Sequence, residues 1–178
     1  KATLTRGDEQ NSVSFEIQAD PRVNLEKDDI DTWSNQLGVI NQTLNIMLQQ
    51  TREIRIIKQQ IEDLAHQHQS ENRLQTMSLN AINAIDLWQS KVTQSKHETL
   101  EDEDAWETML AGQLRYLMDV VDGSGPPVTE GSMIRLNDLN QLWKTLQLEY
   151  ITIMNNEVES INDWAKEKNI THISGVDD

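Results

Sequence analysis

The sequence predicts a mainly α fold, an elongated antiparallel bundle of three to four helices preceded by a short β-hairpin. Apolar residues recur at intervals of three and four over two segments of about 40 residues each, which is the spacing of a helical stripe. Residues that break helices are scarce, with 7 Gly and 3 Pro among 178 residues. The first residues show instead the alternation that is typical of strands.

Residues 1–20 are predicted to form the hairpin. Apolar and polar residues alternate in 2–5 and again in 13–17, and residues 6–11 supply turn chemistry between them. A lone hairpin is at best marginally stable in water. We therefore expect these strands to be the remnant of a larger sheet, whose other strands lie upstream or are replaced by packing on the helices.

The first predicted helix covers residues 26–67 and organises the chain. No proline interrupts it, its only glycine is Gly38, and acidic residues in its first turns complement the positive end of the helix dipole. At 1.5 Å per residue it would be about 60 Å long, and a stripe of that length predicts partner helices. The stripe comprises Ile30, Trp33, Leu37, Ile40, Leu44, Met47, Ile54, Ile57, Ile61 and Leu64.

The second and third predicted helices are shorter and cover residues 71–95 and 105–122. A turn near Ser70, a candidate N-cap, gives a short connection after the first helix, which favours antiparallel packing. The charged residues 97–104 are predicted to be a solvated loop, and the Gly- and Pro-rich residues 122–127 end the third helix. The two stripes comprise Leu74, Met77, Ala81, Ala84, Ile85, Trp88 and Val92, and Trp106, Met109, Leu110, Leu114, Leu117, Met118 and Val121.

The last predicted helix covers residues 129–168, with Thr129 as a candidate N-cap. Its length matches that of the first helix, so we expect the two to pack side by side over their full extent while the shorter helices fill the remaining faces. The bundle would then span residues 25–169, followed by a tail, 170–178, that either docks or frays. The stripe comprises Met133, Leu136, Leu139, Trp143, Leu146, Tyr150, Ile153, Val158, Ile161 and Trp164 or Ala165.

The composition disfavours several classes of partner and site. Thirty acidic against 15 basic residues give a net charge of −15, which disfavours nucleic acid and anionic membrane surfaces as partners. No run approaches the roughly 18 apolar residues of a membrane span. No signal peptide is visible, but the chain begins at Lys1 without a methionine, which leaves room for one upstream. The absence of cysteine excludes disulfides, zinc–thiolate sites and thiol catalysis.

No catalytic, cofactor-binding or metal-ligating residue is predicted, and no cofactor is expected. His66 and His68 would point about 200° apart on a helix, which suits a shared metal poorly. The acidic residues within 98–104 lack the ligand spacing of an EF-hand loop, so a solvated charge run is the preferred interpretation. No Walker A, G-x-G-x-x-G, G-x-S-x-G or H-E-x-x-H motif occurs.

Five tryptophans invite a carbohydrate or cofactor interpretation, but all lie on or beside the predicted stripes, where core packing is the preferred explanation. They are Trp33, Trp88, Trp106, Trp143 and Trp164. Two N-x-T patterns, at Asn41 and Asn169, match the glycosylation acceptor, and neither by itself implies glycosylation.

Short motifs spread along the chain give it a family resemblance. The main ones are Val13-Ser14-Phe15-Glu16-Ile17, Asp20-Pro21-Arg22-Val23, Asp28-Asp29-Ile30, Leu110-Ala111-Gly112-Gln113-Leu114 and Pro126-Pro127-Val128-Thr129. With them, almost the whole chain resembles the C-terminal region of bacterial sortilin-like, BNR-repeat β-propeller proteins, often labelled glycosyl hydrolases. The resemblance extends from the end of their Ig-like β domain into the helical region that follows.

This resemblance implies that the hairpin ends an Ig-like sheet and that the chain is the C-terminal part of a larger exported protein, periplasmic or secreted, with a β-propeller upstream. It transfers no catalytic residue. The preferred hypothesis is a non-enzymatic helical interaction or scaffolding module, whose partner is the upstream propeller or a second copy of the chain. Two alternatives stay open: an accessory domain that completes the active site of a glycoside-acting parent enzyme, and a sensor-type bundle that binds a small ligand.

Overall fold

The computed structural model describes residues 1–16, 22, 25–96, 99 and 106–175, and its architecture confirms the predicted fold class. The hairpin is followed by α1 (Lys27–Gln67), α2 (Asn72–Val92), α3 (Leu110–Ser124), α4 (Glu130–Thr152) and α5 (Glu159–Glu167). A π-helical segment, Ile153–Val158, joins α4 to α5 without a break. Residues 130–167 therefore form one rod, called here the C-terminal rod, which nearly equals α1 in length.

The hairpin turns more tightly than the sequence predicts. Strands β1 (Ala2–Arg6) and β2 (Glu9–Val13) pair antiparallel in an unbroken register. The turn lies within the predicted residues 6–11, at Gly7 and Asp8, because Gly7 has φ +58° and lets the chain reverse through two central residues. Glycine reaches this backbone conformation without the steric cost that a side chain would add.

The helices do not cover the hairpin. All of residues 1–16 are exposed to solvent, so the expectation that packing on the helices replaces the missing strands is wrong. Phe15 follows β2 instead of lying within it, and Ile17 is outside the described residues.

Helix α1 runs unbroken through the gap in its apolar stripe. Thr51 fills this gap with a buried side chain, and its hydroxyl donates a hydrogen bond to the Met47 carbonyl at 2.8 Å. The buried hydroxyl is thereby satisfied within the helix, so it does not carry the cost of an unpaired polar group. The stripe then continues in the core with Ile54 and Ile57.

A short turn over residues 68–71 sends α2 back along α1. Gln75 stabilises the turn, because its Nε2 donates to the carbonyls of Ala65 at 2.7 Å and His68 at 3.3 Å. The predicted cap at Ser70 is wrong, since Glu71 precedes α2 and makes no capping hydrogen bond with its side chain.

Helix α3 is displaced along the chain relative to its prediction. It begins at Leu110 instead of residue 105, because the backbone at Met109 is extended, with φ −77° and ψ 177°. It continues to Ser124, past the predicted end at 122. Gly125, with φ +66°, then turns the chain away from the helix.

The C-terminal rod begins as predicted. Thr129 caps α4, and its Oγ1 accepts a hydrogen bond from the Ser132 backbone N–H at 3.2 Å. Most of the predicted stripe is buried or half-buried, but Met133 is 40% exposed and does not belong to the core.

Both long rods pack closely on α2 and α3. The prediction that they pack on each other over their full extent is wrong, because the close backbone contacts of both rods among the described residues are to α2 and α3, and the rods meet each other locally through Glu53 and Tyr150. A single apolar core results. Its largest fully buried side chains are those of Trp88, Trp164, Ile40, Met47, Ile54, Ile57, Ile61, Leu74, Ile85, Leu114, Leu139 and Ile161.

The described part of the tail, residues 170–175, docks on the bundle. Ile173 is buried, and its backbone N–H donates to Asn162 Oδ1 at 2.7 Å while Asn162 Nδ2 donates to its carbonyl at 3.2 Å. Gln60 does the same for Ser174, with distances of 2.9 Å to the N–H and 2.8 Å to the carbonyl. Two amide side chains thus hold the tail as a neighbouring strand would.

Candidate functional site

One face of the hairpin has an apolar end that the described structure leaves uncovered. Ala2 and Leu4 alternate on β1, and Val13 lies directly opposite Ala2, so these three residues share a face, whose other end carries Asn11 and the Arg6–Glu9 ion pair. Phe15 follows two residues after Val13, beyond the end of β2. Leu4, Val13 and Phe15 are 75%, 61% and 57% exposed. We call these four residues the hairpin face.

The other face of the hairpin is polar. Thr3 and Ser12 lie opposite each other, with their hydroxyl oxygens 2.8 Å apart. Since β1 and β2 form a sheet of two strands, each also has an outer edge that no other described strand pairs with. A face with an apolar end, an opposite polar face and open edges are together typical of a sheet that is covered on one side.

A second surface feature is a cleft of about 700 Å³ between α3 and the start of α4, here called the α3–α4 cleft. Arg115 and Tyr116 line it from α3, and Arg135 lines it from α4. Arg135 Nη2 donates to Gln113 Oε1 at 2.7 Å, and Gln113 Nε2 donates to the Thr108 carbonyl at 2.6 Å. No sequence motif predicts this site, because its two arginines lie on different helices and belong to no apolar stripe.

Three aromatic side chains meet in the middle of the bundle. Trp88 lies 6.5 Å from Trp143 and 5.3 Å from Tyr150, measured between ring centroids. Trp88 and Trp143 are buried, which confirms their predicted role in the core. The cluster packs α2 against α4.

Tyr150 connects this cluster to α1. Its hydroxyl donates to Glu53 Oε2 at 3.2 Å. Burial, together with the charge and the hydrogen bond of Glu53, raises the pKa of Tyr150 from 10.0 to about 12. The phenol is therefore neutral over the physiological range and acts here as a hydrogen-bond donor instead of a general base.

A few buried polar atoms lack a hydrogen-bond partner among the described residues. They are Gln50 Oε1, Ser78 Oγ and Gln89 Nε2. Two contacts, Gln75 with Ala65 and Lys58 with Asp86, define how α1 and α2 lie antiparallel. In this arrangement Gln50 and Gln89 lie at a similar height along the bundle. None of these three residues lies on a predicted apolar stripe.

The remaining tryptophans have different environments. Trp33 is half-buried and its Nε1 donates to the Val121 carbonyl at 2.8 Å, which ties α1 to the end of α3. Trp164 is buried. Trp106 is 43% exposed beneath Lys96, whose Nζ lies 4.1 Å from the ring centroid, so the prediction that it packs in the core is wrong.

The histidines and acidic residues considered as metal ligands are not brought together. His66 is exposed on α1, whereas His68 ends that helix and contacts the edge of Trp164 at 5.5 Å. Of residues 98–104, only Thr99 lies within the described part of the chain. Among the described residues, no group of three or more His, Asp or Glu side chains could hold a metal ion.

The two N-x-T asparagines are both exposed. Asn41 lies within α1, and Asn169 follows α5 with φ +55°. A left-handed asparagine is common where a helix ends, so Asn169 has a structural explanation.

Within the described ranges, none of the helices combines the length and the apolar character that crossing a bilayer requires. Comparison of the chain with protein-family models, with curated proteins and with solved structures gives no match.

Proposed function

We propose that this chain is a non-catalytic helical interaction module, a rigid strut that attaches to its partner through the hairpin face. The observation that supports this is the exposure of Leu4 and Val13 on one side of a two-stranded sheet, and of Phe15 just beyond its end. Isolated two-stranded hairpins are marginal in water, so a partner that covers this face would stabilise it directly.

The preferred partner is a β-rich domain of the same, longer polypeptide. This follows the resemblance to exported sortilin-like, BNR-repeat proteins, in which such a chain would follow a β-propeller and an Ig-like sheet. The hairpin suits that role because strands of the partner can pair with its open edges while apolar side chains of the partner cover the hairpin face.

Self-association is the second form of the same proposal. Each chain carries a net charge of −15, so two copies repel one another at low ionic strength. The hairpin itself is nearly neutral, since residues 1–16 contain two basic and three acidic residues. A dimer would therefore form through the hairpins, and it would strengthen as salt screens the bundles.

The test measures the hairpin in two polypeptides, this chain and a longer one that includes its natural upstream sequence. Sedimentation equilibrium gives the mass of each, and hydrogen exchange gives the protection of the Leu4 and Val13 amides. We expect either slower exchange in the longer polypeptide or a dimer of the short one. A monomer whose hairpin exchanges freely in both would contradict the proposal.

A double variant, Leu4→Asp with Val13→Asp, should abolish the protection or the dimer, because two charges would be buried in the contact. Thr5→Asp is the matched control, since Thr5 lies on the polar face of the same strand. Equal loss in the control would show that the apolar face is not what binds.

A further inference from the structure

We propose that the α3–α4 cleft binds a small organic anion, with a carboxylate or phosphate group between Arg115 and Arg135 and an apolar or aromatic body beside Tyr116. The proposal is independent of the hairpin face, which lies on a different element. It rests on the charge, the arrangement and the shape of the cleft.

The two arginines of the cleft form no ion pair within the described part of the chain. Among the described residues, no carboxylate oxygen lies within 4.0 Å of Arg115 or Arg135. Elsewhere on the bundle, Lys58 and Lys91 do have carboxylate partners. In a chain with twice as many acidic as basic residues, a cleft lined by two arginines and a single carboxylate, that of Asp119, is a local reversal of the overall charge.

Arg135 is held in place by neutral groups. Gln113 Nε2 donates a hydrogen bond to the Thr108 carbonyl at 2.6 Å, and this contact orients the amide. Gln113 Oε1 therefore faces Arg135 and accepts a hydrogen bond from its Nη2 at 2.7 Å. A guanidinium has five N–H donors, and this contact uses one. The side chain is thus oriented without being neutralised, which leaves donors for the two oxygens of an incoming anion.

The cleft also offers apolar surface. Tyr116 is 72% exposed, and Leu117 and Val120 line the same wall. A volume of about 700 Å³ is in the range of small-molecule sites. Asp119 is the one carboxylate among the lining residues, and it would repel a ligand that is anionic throughout. An anion at one end of an apolar or aromatic body therefore fits best.

The experiment is an NMR titration of the whole chain with benzoate, phenyl phosphate and, as the neutral comparison, benzyl alcohol. The backbone amides of Gly112 and Gly131 report on the cleft, and that of Gly175, in the docked tail, is the reference. We expect saturable shifts at Gly112 and Gly131 with a Kd below about 1 mM for at least one anion. Which anion binds more tightly identifies the headgroup.

Arg115→Gln and Arg135→Gln should each weaken that binding about tenfold or more, because a charge-assisted hydrogen bond is lost. Arg55→Gln is the matched control, since Arg55 is exposed on α1 and does not line the cleft. All three side chains are exposed, so the variants should fold, and their circular dichroism verifies this.

Three results would overturn the proposal. The first is an anion titration that does not saturate. The second is equal weakening by Arg55→Gln, which would indicate attraction to any basic side chain. The third is benzyl alcohol binding as tightly as the anions, which would show that the arginines play no part.

Discussion

Trp88 Nε1 donates a hydrogen bond to the main-chain carbonyl of Leu146 at 2.7 Å, in the buried centre of the bundle. A side chain of α2 is thereby bonded to the backbone of α4, close to the π-helical segment. Apolar packing alone tolerates small axial sliding between helices, whereas a directed hydrogen bond selects one level. This contact therefore fixes the axial position of α2 relative to the C-terminal rod.

Replacing Trp88 by Phe should reduce the free energy of unfolding by about 2–4 kcal/mol, because it removes the buried donor and leaves a cavity beside Trp143. Urea denaturation followed by circular dichroism measures the change. Trp106→Phe is the control. Trp106 is 43% exposed, so its substitution should change the stability by no more than about 0.5 kcal/mol. Equal effects would show that the central contact has no special weight.

Tyr150 predicts a loss of stability at high pH. Folding raises its pKa from 10.0 to about 12, so between these values the native state binds more protons than the unfolded state. The contribution is fully present below pH 10 and is lost as the pH rises through 12. Two pH units correspond to at most about 2.7 kcal/mol, and solvent screening at this half-buried site reduces that to about 1–2 kcal/mol.

The measurement is the free energy of unfolding between pH 9 and 11.5 for the parent chain, Tyr150→Phe and Glu53→Gln. The Phe variant should be less stable near neutrality and should lose the part of the pH dependence that comes from Tyr150. The Gln variant should retain a smaller part, since burial remains while the neighbouring charge is gone. An identical slope in all three chains would be evidence against the Tyr150–Glu53 contact.

The docked tail predicts local protection from hydrogen exchange. Asn162→Ala and Gln60→Ala each remove two hydrogen bonds to the backbone, at Ile173 and Ser174. We expect either variant to release the tail, with exchange at these two amides accelerating about tenfold or more. Gln59→Ala, an exposed neighbour on α1, should leave both amides protected. Unchanged exchange in the first two variants would mean that the buried Ile173 side chain alone holds the tail.

The fold class could be predicted from the sequence because helical periodicity reports directly on which face is buried. The stripe of α1 and the cap at Thr129 both follow from local spacing, and both are found in the structure. The turn could be placed within residues 6–11 but not at Gly7 and Asp8 in particular, because several polar residues around Gly7 can also form turns. Local backbone preferences therefore discriminate only weakly between the possible turn positions in this segment.

The α3–α4 cleft could not be predicted for a different reason. Arg115 and Arg135 become neighbours of one cleft only through the packing of α3 on α4, and exposed residues leave no periodic signal. The same holds for Gln60 and Asn162, whose partners are backbone groups of a distant tail. The periodicity of apolar residues indicates which face of a helix is buried. It does not indicate which polar residues of different helices come into contact.

Two glycines in helices give a matched pair of stability predictions. An added Cβ at Gly38 would meet no atom within 4 Å, so Gly38→Ala should stabilise the chain by about 0.5–1 kcal/mol through the lower conformational entropy of the unfolded state. At Gly112 the Cβ would lie 2.6 Å from Thr108 Cγ2, so the same substitution gains nothing unless Thr108 moves. Thr108→Ser removes that methyl group and keeps the hydroxyl. Gly112→Ala should therefore stabilise the Thr108→Ser variant by about as much as Gly38→Ala stabilises the parent, and the parent by less or not at all. The double-mutant cycle comprises the parent, Gly112→Ala, Thr108→Ser and the double variant, and urea denaturation of these four chains measures the coupling between the two positions. Strictly additive changes in the free energy of unfolding would contradict the contact between them.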